Sequence, residues 1–434
     1  MDGGQRLGRS PPADRGAPGL RRDEGEGARL RAREALRRLG RRRARTGTPD
    51  ARRRRLRRSA CRVPGAEARV QGFSPESGLS DLTPPPAEIE LTTLTDGGQR
   101  PADVARRIAG FLARATRSLD IALYDVRFET DAGSLVLASL LAAVQRGVAV
   151  RLVYNVAHPG PIPVPPPPAT VPEAIEALPV PTRGVAGVPD LMHHKIVVRD
   201  GESVWTGSTN WTDDSWSRQE NVIVTVASQP IAYAYKLAFE QLWTSGEVEH
   251  SGNVDPRPEQ VDGAQVRAWF CPEHGEALAH RVAKAIGKAG ERVRIASPVL
   301  SSGPILATLV EALNEKRSSI AGVIDDTQVD EVFSQWQTNG VSAWKIPLLR
   351  RVLEEGEFSG KVSTQWTPSS LHDFMHAKVV VADDTSFAGS FNFSRSGERN
   401  AENVLEIRDR AVADRLAAYV DEIRDRYPKA TPPG

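Results

Sequence analysis

The chain has 434 residues, enough for two ordinary domains, and its 40% hydrophobic content can fill two cores. Two cysteines, Cys61 and Cys271, give neither a disulfide framework nor a thiolate metal site, and the longest apolar run, residues 135–144 with Ser139 counted in, is too short to cross a bilayer. The formal net charge of +2 hides an asymmetry: residues 1–69 hold 22 Arg against 8 acidic residues, a surplus of 14 positive charges that leaves −12 on the rest.

Residues 1–69 are rich in Arg, Gly and Pro and lack sustained apolar periodicity, so disorder is expected. One reading makes this tail a counter-charge for phosphates on nucleic acid or an anionic membrane surface. The other makes it a solvated tail, or residues added by an upstream start codon. The first 60 residues also lack the apolar core of a signal peptide, which sets a cytoplasmic location as the expectation. Residues 70–100, with Pro84, Pro85 and Pro86, read as linker, so 1–100 forms a tail and linker.

A first lobe is expected over 101–250 and a second over 262–427. In the first, Val104, Ile108, Phe111 and Leu112 recur at helical spacing over 101–117, followed by a strand at 119–126, a helix at 133–145 and a strand at 148–154. Helix, strand, helix, strand implies parallel pairing through crossovers. A proline-rich excursion at 159–181 is too stiff for a central strand and reads as a pocket rim or a spacer. A helix at 231–244 closes the lobe. The second lobe repeats the plan: helix 276–289, strand 293–298, helix 304–316, strand 320–324, then a less regular stretch carrying Trp336, Trp344 and Trp366, and a closing helix at 411–426. Packing is the expectation for these tryptophans, with a cleft wall or lipid contact as the alternative.

Each lobe carries the same motif. His193, Lys195 and Asp200 are matched by His376, Lys378 and Asp383, and Gly207, Ser208 and Asn210 by Gly389, Ser390 and Asn392. A Glu stands twelve residues past each Ser, at Glu220 and Glu402, and one residue is dropped between Asp and Gly in the second copy. The first lysine in the chain is Lys195, and two of only nine lysines occupy equivalent places in the repeat, so composition explains their placement poorly. Both motifs start in strand-like runs, 192–198 and 375–381, where period-two alternation sets His193 with Lys195 on one face and His376 with Lys378 on another. Ser and Asn of each Gly-Ser-x-Asn share a face by the same count.

Each half thus offers an imidazole, an ammonium, a hydroxyl and an amide. Imidazole serves as nucleophile or as acid and base near neutral pH, and Lys, Ser and Asn donate to the oxygens of a phosphate. Glu220 and Glu402 could each accept from the far nitrogen of a His and fix its tautomer. The motifs bring little with which to hold a metal, so phosphodiester chemistry with no metal or other cofactor fits best. His158, His250, His274, His280 and His372 are expected to pack or face solvent, and His194 alternates away from the His193 face.

The duplicated His-x-Lys-x(4)-Asp with its Gly-Ser-x-Asn resembles the phospholipase D superfamily over about residues 100–427. The resemblance implies an α/β fold of two pseudo-twofold-related lobes, each a mixed sheet flanked by helices, bringing both motifs to one cleft. It also implies a phosphohistidine intermediate, with His193 as nucleophile and His376 as acid and base, and makes Asp200 and Asp383 structural supports. Both Asp are present, which disfavours the tyrosyl-DNA phosphodiesterase branch. The leaving group is not selected by this chemistry. A hydrolase of phospholipid headgroup esters is the first reading, a nuclease acting on DNA or RNA the alternative, and a silent scaffold for phosphate polymers or membranes the third. Two motifs in one chain make a monomer sufficient for activity.

Overall fold

The computed structural model describes residues 88–156, 170–186, 190–365, 367 and 370–432; the Arg-rich tail, residues 159–169 of the proline-rich excursion and Trp366 lie outside them. The first lobe runs β1 (Glu88–Leu94), α1 (Pro101–Ala113), β2 (Ser118–Leu123), α2 (Asp131–Gln145), β3 (Ala149–Val156), α3 (Pro172–Glu176), β4 (Thr182–Ala186), β5 (Lys195–Arg199), β6 (Ser203–Gly207), α4 (Asp213–Ser217), β7 (Asn221–Ala227) and α5 (Gln229–Ser245). The second runs β8 (Pro258–Val261), β9 (Ala264–Phe270), α6 (Gly275–Lys288), β10 (Arg292–Ser297), α7 (Gly303–Glu315), β11 (Ser319–Asp325), α8 (Asp326–Asn339), a 3-10 turn (Ala343–Lys345), α9 (Ile346–Glu355), β12 (Glu357–Lys361), β13 (Val379–Ala382), β14 (Thr385–Gly389), α10 (Arg395–Arg399), β15 (Asn403–Arg408) and α11 (Arg410–Arg424).

The first sheet has the order β1-β7-β6-β5-β2-β3-β4, and the second, read from its far edge, β8-β9-β15-β14-β13-β10-β11-β12. Seven strands therefore correspond one to one. In both sheets the crossover strands pair in parallel, β2 with β3 and β3 with β4, β10 with β11 and β11 with β12, while the motif strands run antiparallel beside β2 and β10. Each is a mixed α/β sheet flanked by helices, as the alternation of periods predicts. The central core lies between the sheets, where α5 (Ile231, Tyr235, Phe239, Leu242) and α11 (Leu416, Val420, Ile423) pack with Val198, Val224, Val381 and Leu405 from both lobes. The outer faces are covered by α1 and α2 on one side and by α6, α7 and α9 on the other. Among the described residues no helix is long and apolar enough to cross a membrane.

Two stretches differ from the sequence reading. Within the expected linker, β1 pairs along its whole length with β7, from Glu88↔Ala227 to Leu94↔Asn221. Its short EIELTTL run carries only three large apolar residues, and its neighbour in the sheet is some 130 residues away. The irregular stretch of the second lobe contains α8 and α9: Val329, Phe333 and Trp336 line one helical face, Leu349, Val352 and Leu353 another, and Asp325 caps α8 by accepting from Gln328 N at 3.1 Å. Trp336 is buried as expected, but Trp344 is 57% exposed.

The motif aspartates close the turn after each motif strand. Asp200 (φ 58°) accepts from the backbone N–H groups of Thr116, Arg117 and Ser118, and Asp383 (φ 55°) from those of Gly290, Glu291 and Arg292, at 2.6–3.0 Å. Each pins the entry of β2 or β10 to the end of β5 or β13. Burial alone pushes both carboxyls up, but the donors outweigh it and hold both below the ordinary value of 3.8. A depressed folded-state value means stability that is present above 3.8 and lost as pH falls through the folded value. Asp383→Ala hands three backbone donors over to water and is expected to lower stability by about 1–2 kcal/mol, read as a drop in urea midpoint at pH 7. The wild type should lose that difference on acidification below pH 4; an unchanged midpoint at pH 7 would remove the clasp from the account.

Candidate active site at the lobe interface

The two motifs meet because each lobe pairs backbone with the other. His193 N donates to Ala401 O and Ala401 N to Leu191 O, while His376 N donates to Glu220 O. The residue before each His is pinned from its own lobe: Met192 N donates to Asn155 Oδ1 at 2.9 Å and Met375 N to Asp325 Oδ2 at 3.0 Å, both acceptors standing at the carboxyl ends of parallel strands. That is where ligands sit in open α/β sheets.

Strand regularity begins only at Lys195 and near Val379, so the histidines precede the strands proper. Each motif Lys turns back on its own His, Lys195 Nζ donating to His193 O at 2.8 Å and Lys378 Nζ to His376 O at 2.6 Å. Lys195 also lies 4.7 Å from the Tyr124 ring, whose edge meets the His193 imidazole at 4.6 Å. Burial drives the Lys195 ammonium down to about 7 and Lys378 well below its usual range, with Lys195 adding to the effect on Lys378. Both imidazoles are likewise pushed well below 6.5, first by burial and then by the two lysines. A phosphate placed among them reverses the electrostatic part of these shifts, because it supplies the negative charge that the site lacks.

Behind the imidazoles the lobes differ. His193 Nδ1 lies 2.8 Å from Glu402 Oε2, a carboxyl that burial pushes up to about 7 and that Lys195 draws down. His376 Nδ1 lies 3.1 Å from Asn221 Oδ1, not from Glu220. The expected equivalence of Glu220 with Glu402 is off by one residue. Ser208 N bonds Val222 O, whereas Ser390 N bonds Asn403 O, and Gly207 stands opposite Ile223 where Gly389 stands opposite Val404. The first lobe thus has one more residue between Ser and the following strand, and Asn221 takes the place of Glu402. Glu220 is held elsewhere, by Lys361 Nζ at 3.0 Å, by the Tyr427 hydroxyl and by Asp96 N at 3.3 Å.

The hydroxyls expected to bind phosphate are used internally. Ser208 Oγ, fully buried, donates to Asn221 Oδ1 at 2.7 Å and accepts from Val222 N at 2.9 Å; Ser390 Oγ accepts from Asn403 N at 3.0 Å and supports Glu402. The glycines before them are required by close approach: a Cβ at Gly207 or Gly389 would stand 2.1 Å from the carbonyl of Val222 or Asn403. Asn210 and Asn392 are different. Their Oδ1 atoms are buried without a hydrogen-bond partner, at equivalent places in the two lobes. Asp200 and Asp383 lie at the far ends of the motif strands, roughly 20 Å of extended chain from the histidines, out of reach of the chemistry. His194 is buried at the lobe junction, its Nδ1 3.1 Å from Asn403 Nδ2.

Sequence spacing missed Asn221, Tyr124, Asn155, Asp325, Lys361 and Tyr427. The paired Glu-Asn of both repeats held the signal for Asn221, but only strand register shows which of the two faces the ring. The buried Lys361–Glu220 pair also ties the lobes together, and Lys361→Met strands a fully buried carboxylate. Its expected cost is about 3–5 kcal/mol, measurable as a lowered denaturation midpoint. A loss below 1 kcal/mol would mean that the Tyr427 hydroxyl and Asp96 N suffice to hold Glu220.

The family described as "Cardiolipin synthase, PLD-like domain" matches residues 108–243 and 282–424. Mitochondrial cardiolipin hydrolase of Xenopus tropicalis is 33% identical over 142 residues, 32% of this chain and 60% of that protein. The protein of the same name from Xenopus laevis is 47% identical over 53 residues, 12% of this chain and 25% of that one. The matches span only these parts of the relatives' lengths. Among solved structures, phosphatidylserine synthase of Haemophilus influenzae Rd KW20 superposes with a TM-score of 0.52 at 15% identity, over 77% of this chain and 85% of that chain.

Proposed function

Since this chain belongs to the PLD-like domain family of the phospholipase D superfamily, whose members process phosphodiesters, we propose that it hydrolyses phospholipid headgroup esters through a phosphohistidine intermediate. The observation that carries the reading is the meeting of His193 and His376 from opposite lobes, each with its own lysine.

With Glu402 ionised, His193 Nδ1 carries the hydrogen and Nε2 keeps its lone pair for attack on phosphorus. The phosphorus–nitrogen bond forms as the bond to the headgroup oxygen breaks, and protonated His376 gives its Nε2 proton to that oxygen. Neutral His376 then takes a proton from water as the water oxygen attacks phosphorus, and the electron pair of the broken P–N bond returns to His193. Lys195, Lys378, Asn210 and Asn392 hold the non-bridging oxygens, where negative charge is greatest in the transition state.

Two features favour lipid over nucleic acid. The curated relatives are named for cardiolipin. Exposed apolar residues also stand by the second motif: Val362 is 74% exposed, and its neighbour Ser363 bonds the same Asp325 that holds Met375. Trp344, 57% exposed, rests against Gly303 at the start of α7.

Headgroup release from phospholipid vesicles, set beside cleavage of single-stranded DNA with EDTA present throughout, tests this reading. Release from vesicles is expected to survive EDTA and to fall about a thousandfold or more in His193→Ala and in His376→Ala. Cleavage confined to DNA would make the protein a nuclease, and a fully active His376→Ala would end the two-histidine scheme. The rate should also follow a bell in pH; a flat profile between pH 5 and 9 would contradict paired acid and base imidazoles.

A further inference from the structure

Asn221 has a fixed orientation. Its Nδ2 donates to Ser215 O at 3.1 Å, which leaves Oδ1 facing Ser208 Oγ at 2.7 Å and His376 Nδ1 at 3.1 Å. A flipped amide would set its oxygen against a carbonyl. His376 is therefore held with hydrogen on Nδ1 by an uncharged acceptor, at the place where His193 has the Glu402 carboxylate. Sequence spacing offers His376 a carboxylate in Glu220, but Lys361, Tyr427 and Asp96 N enclose it.

We propose that Asn221 is a positioning residue that divides the labour of the two histidines: its neutral amide lets His376, once protonated, give up its Nε2 proton readily, while carboxylate-backed His193 forms the bond to phosphorus. The inference rests on the two-histidine reading above. When His193 Nε2 bonds phosphorus, its ring becomes cationic, and a carboxylate 2.8 Å from Nδ1 stabilises that charge where an amide would not. His376 has the opposite task. A carboxylate behind it would hold the proton that the leaving oxygen needs, whereas the Asn221 oxygen orients the ring without opposing the transfer.

The surroundings leave this choice to residue 221. His376 faces Lys378 from its own segment and Lys195 and His193 from the first lobe, none of them negative. Of the two carboxylates nearby, Glu402 is paired with His193 and Glu220 with Lys361. An acid at 221 would be the first negative charge directly on the His376 ring.

Histidine titration by NMR in the free full-length protein tests this without requiring turnover. In Asn221→Asp the His376 midpoint is expected to rise by about one pH unit or more, with His193 nearly unmoved; in Glu402→Gln the His193 midpoint should fall. One limb of the pH–rate bell should shift up in Asn221→Asp while the other stays in place. Acid quenching during turnover should trap phosphate on His193 in the wild type, and the exchanged variant Asn221→Asp/Glu402→Gln should divert it toward His376. A His376 midpoint that stays put in folded Asn221→Asp overturns the proposal, as does wild-type phosphate trapped on His376. Should Asn221→Asp not fold, a His193 midpoint that fails to drop in Glu402→Gln overturns it too. Absence of any trapped phosphate with vesicles or DNA would instead count against the catalytic reading, since the midpoints are independent of substrate.

Discussion

The centre of the molecule depends on backbone hydrogen bonds exchanged between the lobes: His193 N to Ala401 O on one side and His376 N to Glu220 O on the other. Each is the first residue of one motif bound to the segment that follows the Gly-Ser-x-Asn of the other. Neither lobe can complete its own site, because the group behind each imidazole comes across the interface. The pairing also explains why α5 and α11, one from each lobe, share a single central core with both sheets. Packing that unites the lobes is the same packing that sets the distance between the histidines.

That junction is dense in buried charge. Lys195, Lys378, Lys361, Glu220 and Glu402 are almost wholly withdrawn from water, a state that is costly unless each finds partners. The solutions differ. Lys361 and Glu220 pair with each other and with Asp96, which makes a clasp. Among the described residues the motif lysines donate to backbone carbonyls, with the Tyr124 ring beside Lys195, and burial holds both ammonium groups below their usual range. An anion among them would offset that effect, in keeping with the phosphodiester substrate proposed above.

Pseudo-symmetry is close in the scaffold and broken at the reacting groups. Seven strands of each sheet correspond, the motif aspartates clasp equivalent turns, and Thr212 and Ser394 cap equivalent short helices directly after Gly-Ser-x-Asn. A single extra residue before β7 then moves Asn221 into the place of Glu402 and turns Glu220 away. The two proposed steps have opposite proton demands, which suits a site whose halves are unequal.

The sequence by itself determined the repeat and the α/β alternation, and it singled out His193, Lys195, His376 and Lys378, which lie where the two lobes exchange backbone hydrogen bonds. These follow from local periodicity and from spacings inside one stretch of chain, which is what a sequence displays. It misjudged β1, whose pairing partner is far away in the chain, and the helices α8 and α9, whose apolar faces are short and broken by a turn. It read Ser208 and Ser390 as free donors, since only the fold shows their hydroxyls already bonded to the next strand. Which acceptor stands behind which imidazole was decided by tertiary structure alone. That depends on strand register and on contact between residues some 155 to 209 positions apart, where a shift of one residue exchanges a carboxylate for an amide.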